Sequence, residues 1–333
     1  LNALLPDGDA PALAGVEVHA EEKGLRRHPF PLLGREENPS SKEKNLYLSA
    51  LDTWMDCPFL YWCRSVQRLD EFSFSPFDAA KAGTLLHLLW ERVWGANREN
   101  PAASLQGLVL QEWEALMDAP PKELGEFIRN PQLKRHMPRL RAMVMELCKT
   151  QEAIEDRREK AGWSLEARTM EYALPSYRVG NVSFVGRCDR VDSLMNRGEI
   201  LVDYKLGKSS NYKGSLQLAS YAAIMKNEGA SIAGFYYLGH ADAALTGAFD
   251  EDVRPVFIKG KPRTPLIPDE EMEKAVVQME AMADGVSSGR FTAHYQAKAC
   301  SRCPYKILCR RGEYCGESLL QSESSIEEGA SDE

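Results

Sequence analysis

What this chain lacks narrows it first. No apolar run reaches the roughly eighteen residues that a bilayer-spanning helix needs, and the opening LNALLPDGDAPALAG has no positively charged leader followed by an apolar block. Those absences lead us to expect a cytoplasmic protein. No self-similar segment recurs at the roughly 20 to 50 residue periods of solenoids. Positive charge is in deficit: 41 Lys and Arg against 49 Asp and Glu give a formal net charge of −8. That argues against coating nucleic acid by bulk electrostatics, although it says little about local patches. An initial Met is also missing, so with Leu1 at the start we expect residues 1–44 to be the end of something longer.

What is present is ample for a core. The 333 residues are 44% hydrophobic and 27% charged, enough for one large or two ordinary domains. Residues 1–44 carry Pro, Gly and the turn-rich GREENPSSKEKN without sustained periodicity, and read as an extended lead-in. Residues 317–333 form an acidic tail expected to be disordered. Basic residues cluster twice, as Lys298, Arg302, Lys306, Arg310 and Arg311 among cysteines and as Arg129, Lys134, Arg135, Arg139 and Arg141 on a helical stretch. Solvated helix faces explain such runs more often than nucleic acid does.

Between these ends the periodicity changes abruptly. Ser49 is a plausible N-cap for a helix with Leu51, Trp54 and Met55 on one face, interrupted or restarted at Pro58. Leu85, Leu88, Leu89 and Val93 share a helical face, with His87 near the start of that helix. Helical segments continue over 102–160, so that about 95–160 looks like a helical insertion. Then WSLEARTMEYALPSYRV, NVSFVGRCDRVDSL and EILVDYKL alternate as strands, SLQLASYAAIMKN is helical, IAGFYYLGH is a strand, and PDEEMEKAVVQMEAMADGVSSG is a long helix. A mostly antiparallel strand group set between helices predicts a layered α/β or mixed α+β core.

The stretch GRCDRVDSLMNRGEILVDYKLGK reads as a hairpin. With its turn near Asn196 and Arg197, Asp189 falls roughly opposite Lys205, and Asp203 shares the face of Lys205. Adjacent carboxylates repel unless a cation lies between them or one takes up a proton. Hard oxygen donors suit Mg²⁺ or Mn²⁺, and Lys205 can stabilise charge developing on phosphorus. The bland alternative is a surface hairpin with cross-strand ion pairs. His87 in GTLLH is a credible further metal ligand, although a His on an apolar helix is more often structural. Gln217 and Tyr221 lie i, i+4 on one helix face and can point an amide and a phenol at a phosphodiester. By themselves they are ordinary helix surface.

Eight cysteines in a chain expected in a reducing compartment favour metal or cluster ligation over disulfides. CSRCPYKILC supplies Cys300, Cys303 and Cys309, and three thiolates need a fourth. A second CxxC is absent, so a distant single ligand is the better reading, with Cys57 in DCPFLYW preferred over Cys63 and Cys315. Cys148 and Cys188 read as small buried hydrophobes. Four thiolates suit zinc or an iron-sulfur cluster equally well on coordination grounds.

Taken in order, Cys57, GTLLH, GRCDRVD, DYK, QLASY and CSRCPYKILC resemble the RecB-type branch of the PD-(D/E)XK nuclease superfamily. The resemblance is to the iron-sulfur form seen in the AddB subunit of bacterial AddAB helicase-nucleases and in CRISPR-associated adaptation nucleases. It spans about residues 46–316. It implies a restriction-endonuclease-like core with a central mixed sheet flanked by helices, in a nuclease domain over 45–316. It further implies His87, Asp189, Asp203 and the Tyr204 carbonyl as ligands of Mg²⁺ or Mn²⁺, and Lys205 as the catalytic lysine. Gln217 and Tyr221 would position substrate, and Cys57, Cys300, Cys303 and Cys309 would hold a structural 4Fe-4S cluster. Glu171 sits where many relatives carry an acid. The expected activity is metal-dependent DNA hydrolysis, as an exonuclease at DNA ends in recombination or repair, with a possible helicase subunit or helicase region as partner. Two rivals remain: a catalytically lapsed DNA-binding scaffold and a zinc-bound interaction module.

Overall fold

The structure is a computed structural model that describes residues 25–26, 44–69, 77–258, 260, 265–294, 297–301 and 303–309. Most of the expected N-terminal lead-in, the acidic tail, Cys315, Arg302, Arg310 and Arg311 therefore lie outside the described residues. The chain divides into two compact units: a larger one from Glu43–Asp52 and Glu71–Asp284, and a smaller one from Leu1–Lys42, Thr53–Asp70 and Gly285–Glu333.

In the larger unit, strand β1 (Lys44–Tyr47) precedes helices α1 (Ala79–Glu99), α2 (Leu105–Asp118), α3 (Lys122–Arg129) and α4 (Met137–Lys160). There follow β2 (Leu165–Ala173), β3 (Tyr177–Val179), β4 (Val182–Val185), β5 (Arg187–Leu194) and β6 (Gly198–Lys205). Helix α5 (Gln217–Asn227), β7 (Ile232–Gly239), β8 (Ala244–Phe249) and α6 (Pro268–Ser287) complete it, the last running on past Asp284. A five-stranded sheet has the order β2-β5-β6-β7-β8, with β6 and β7 parallel and the other pairs antiparallel. A three-stranded sheet has the order β1-β4-β3, with β1 parallel to β4. The α/β reading with a mixed sheet flanked by helices therefore holds.

Local chemistry explains most of the boundaries. Helix α1 begins at Ala79, well before the Leu85 from which its apolar spacing is read, because the Asp78 carboxylate accepts from Lys81 N–H at 3.0 Å, an N-cap. Ser49 is not the N-cap it was expected to be. A 3₁₀ turn over Leu48–Ala50 leads into the helix Leu51–Asp56, and the turn takes Tyr47 as its unsatisfied cap. In the smaller unit Pro58 sits in the first turn of the helix Pro58–Tyr61, where its missing N–H costs nothing. Strand β7 is buried at every position, as a parallel strand covered on both faces should be. The helices over 105–160 join the sheet in one apolar core, in which Leu108, Trp113, Val144 and Leu147 belong to the same cluster as Ile200, Val202 and Tyr236.

Candidate functional site

Backbone alternation sets up the site. The hairpin β5–β6 pairs Arg190 with Val202 and Leu194 with Gly198 around a three-residue turn whose Asn196 adopts φ 60°. That register, continued by one pair, sets Asp189 across from Asp203. The expected facing of Asp189 and Lys205 is corrected accordingly, because the turn is one residue longer than the tight turn assumed at Asn196 and Arg197. The correction brings the two carboxylates closer together.

Four elements converge on one pocket, lined among others by His87 from α1, Asp189 from β5, Asp203 and Lys205 from β6, and Gln217 and Tyr221 from α5. Asp189 Oδ2 accepts from Tyr204 N–H at 2.7 Å, and its Oδ1 lies 3.5 Å from His87 Nδ1. His87 Nε2 lies 2.7 Å from the Tyr204 carbonyl oxygen. Lys205 Nζ donates to Gln217 Oε1 at 3.0 Å and sits 2.8 Å from Asp203 Oδ2. That ion pair is the close partner of the buried Oδ2. Gln217 Nε2 in turn donates to Tyr221 Oη at 2.8 Å and to Asp203 Oδ1 at 3.3 Å.

The electrostatics are those of a site short of positive charge. Burial and the Asp203 charge push the Asp189 carboxyl up to about 7, against the pull of His87, the Tyr204 amide and Lys205. Burial works against the Lys205 ammonium, yet Asp203 and Asp189 outweigh it and raise its pKa. Lys205 thus stays protonated at neutral pH. His87, Glu171 and Asp189 each offer a ligand atom, all within 4.8 Å of one another. An imidazole and hard carboxylate oxygens fit a divalent cation of the Mg²⁺ or Mn²⁺ type.

Positions of these groups are fixed from behind. Helix α5 has no capping side chain of its own at Leu216. Its first N–H groups are met by Asp52 Oδ1, which accepts from Leu216 at 2.9 Å, and by Tyr237 Oη, which accepts from Leu218 at 2.9 Å. This orients Gln217 and Tyr221 toward β6. Gly186 leaves room for Tyr221, since a Cβ there would lie 3.0 Å from Tyr221 Cε1. On the opposite face of β6, Tyr204 Oη accepts from Trp94 Nε1 at 2.8 Å and Arg190 Nη1 at 2.7 Å, and donates to Gln151 Oε1 at 2.9 Å. Its ring stacks on Trp90 at 5.4 Å. The buried Arg190 is neutralised by Asp192, which also takes a bidentate bond from Arg168 at 2.7 and 3.0 Å.

In the smaller unit, Cys57, Cys300, Cys303 and Cys309 line one apolar pocket with Phe59, Leu60 and Ala293. Cys57 Sγ accepts from His294 N–H at 3.3 Å. Burial raises the Cys57 thiol, and the neighbouring Cys303 adds to the shift. Cys63 is fully buried in the same apolar cluster, pushed up to about 12 by burial and by Cys303, Cys57 and Cys309. Four soft thiols around one dry pocket are a donor set that fits an iron-sulfur cluster or zinc. Cys148 and Cys188 are fully buried in the larger unit.

Against known families, residues 47–310 match the model described as the PD-(D/E)XK nuclease superfamily. The chain belongs to this superfamily. Among curated relatives it is 26% identical over 205 residues to an ATP-dependent helicase/deoxyribonuclease subunit of Natranaerobius thermophilus, an alignment covering 54% of this chain and 17% of that protein. The nuclease chain thus spans only a small part of that relative. The solved structure of SSO0001 aligns with 80% of this chain and 86% of its own at 12% identity, with a TM-score of 0.29, too low to bear on the site. Among the described residues no helix is long and apolar enough to cross a membrane.

The sequence reading of this nuclease passed over two groups. His240 accepts from Trp90 Nε1 at 2.9 Å through Nε2, so its Nδ1 carries the proton and donates to the Lys205 carbonyl at 3.0 Å. The only signal was a His directly after the strand IAGFYYLG. The Arg190–Asp192–Arg168 network was equally hidden, because charged residues on a strand read as surface until a helix is known to cover them.

Proposed function

We propose that this chain is a Mg²⁺- or Mn²⁺-dependent deoxyribonuclease, an exonuclease acting at DNA ends in recombination or repair and working with a helicase subunit or helicase region. Superfamily membership supports nuclease chemistry, and the name of the Natranaerobius relative supports DNA as substrate and a helicase as partner. The single observation that carries the reading is the meeting of His87, Asp189, Asp203 and Lys205 in one pocket. His87, Asp189 and Asp203 would hold the divalent ion, which when bound polarises a phosphodiester oxygen and lowers the pKa of water. The remaining steps belong to the protein. The Lys205 ammonium, held by Asp203 and Gln217, stabilises charge growing on the phosphate oxygens, while Gln217 and Tyr221 orient the strand. Water attacks phosphorus in line and the 3′ oxygen leaves, giving a 5′ phosphate. Cys57, Cys300, Cys303 and Cys309 hold a 4Fe-4S cluster as a structural staple of the smaller unit.

Digestion of end-labelled single-stranded and duplex DNA with Mg²⁺ or Mn²⁺, compared with Asp203→Ala and Lys205→Ala, tests the reaction. Cleavage by the native chain that both variants lose is expected; DNA binding without cleavage would replace the enzyme with a scaffold. An anaerobic preparation should be brown and absorb near about 400 nm, whereas a colourless one would assign the thiols to zinc.

A further inference from the structure

The pocket has a mouth as well as a floor, and the mouth carries chemistry that the reaction leaves unused. The Asp203 and Lys205 side chains lie deep, 3% and 19% exposed. Tyr47 and Arg187 line the same cavity of about 560 Å³, yet Tyr47 is 66% exposed and the Arg187 side chain 64%. Backbone alternation puts the tyrosine there: Leu46 and Leu48 are buried, so Asn45, Tyr47 and Ser49 turn outward. Parallel pairing sets Tyr47 beside Val185, two residues ahead of Arg187 at the start of β5.

A lone exposed tyrosine is ordinary on a protein surface. This one differs in what stands around it. Its ring packs on no other ring among the described residues, so its face is open at the edge of the catalytic pocket. Arg187 meets Glu171 at 3.6 Å in an exposed pair that water screens heavily. Its guanidinium can therefore trade that carboxylate for a phosphate oxygen at little cost. A strand whose phosphodiester reaches the floor must place a neighbouring base and phosphate near the mouth. An open aromatic face beside a planar cation is how proteins hold unpaired strands without reading their sequence.

We propose that Tyr47 is a substrate-binding residue on which a base next to the scissile phosphodiester stacks, and that Arg187 grips an adjoining phosphate. This rests on the reading of the pocket as a nuclease site. The test is steady-state cleavage by the full chain of single-stranded oligonucleotides in which one abasic residue is moved stepwise past the cleaved bond. Tyr47→Ala should raise KM at least about fivefold with kcat within about twofold, the loss of one base stack, and Tyr47→Phe should keep the wild-type KM. The wild-type chain should show a similar rise at one abasic position, to which Tyr47→Ala is indifferent, because two changes that remove one contact do not add. Arg187→Gln should flatten the slope of log KM against log salt by about 0.7, the share of one single-strand phosphate. An unchanged KM in Tyr47→Ala, or penalties from that variant and the abasic residue that simply add, would overturn the stack; an unchanged salt slope would overturn the phosphate grip. No cleavage by the native chain with Mg²⁺ or Mn²⁺ would instead overturn the nuclease reading on which both depend.

Discussion

His240 makes the native state sensitive to acid by an amount that the structure specifies. Its Nε2 accepts from Trp90 and its Nδ1 donates to the Lys205 carbonyl, so a second proton has no place to go without breaking the Trp90 bond. Burial holds its pKa down at about 4, from 6.5 in the unfolded chain. For a base depressed in this way the unfolded state binds more protons between those values. Stability is therefore complete above about pH 6.5 and drains away as pH falls toward about 4. Linkage gives about 2 kcal/mol lost between pH 7.5 and pH 5, and about 3 kcal/mol once both states are protonated. His240→Asn cannot take up a proton and keeps an amide donor for Lys205. Urea unfolding of both proteins at the two pH values, followed by tryptophan fluorescence, should show the gap between them narrowing by about 2 kcal/mol at pH 5. A gap constant to within about 0.5 kcal/mol would mean that the imidazole is not held neutral.

Two further substitutions probe the supports of the site. Gly186→Val brings new atoms against Tyr221 Cε1, Leu174 Cδ1 and Leu48 Cδ1, where a bare Cβ would already stand at 3.0 to 3.2 Å. It should cost about 1–3 kcal/mol in urea unfolding and depress DNA cleavage through displacement of Tyr221, and wild-type values for both would refute the close fit. Tyr204→Phe deprives Trp94 Nε1 and Arg190 Nη1 of their shared acceptor. A loss of about 3 kcal/mol is expected by the same measurement, and less than about 1 kcal/mol would show that the network closes without the hydroxyl.

Much of the fold was legible because its elements carry strong periods. Strands β5, β6 and β7 alternate or run apolar between turn residues, and α5 and α6 follow helical spacing, so their types and order needed no tertiary information. The chemistry-bearing residues were legible for a different reason: hard ligands, a lysine and closely spaced cysteines are costly to place together without a purpose. What stayed hidden depends on contacts distant in sequence. The hairpin register turned on a positive φ at Asn196, which a count of turn residues does not determine. The start of α1 depended on Asp78 acting as a cap, and strand β8, ALTGAF, has too weak a pattern to read without its neighbour β7. Arg190 went unread because nothing local announces that Trp94, Tyr204 and Tyr236 enclose it.

The parallel pairing of β6 with β7 through α5 has a consequence for biosynthesis. Within about forty residues one crossover unit delivers Asp203, Lys205, Gln217, Tyr221 and His240, and the short separations let that half assemble quickly. His87 must instead close a loop of 117 residues to reach Tyr204. In a nascent chain the pocket is thus complete only once that long loop shuts.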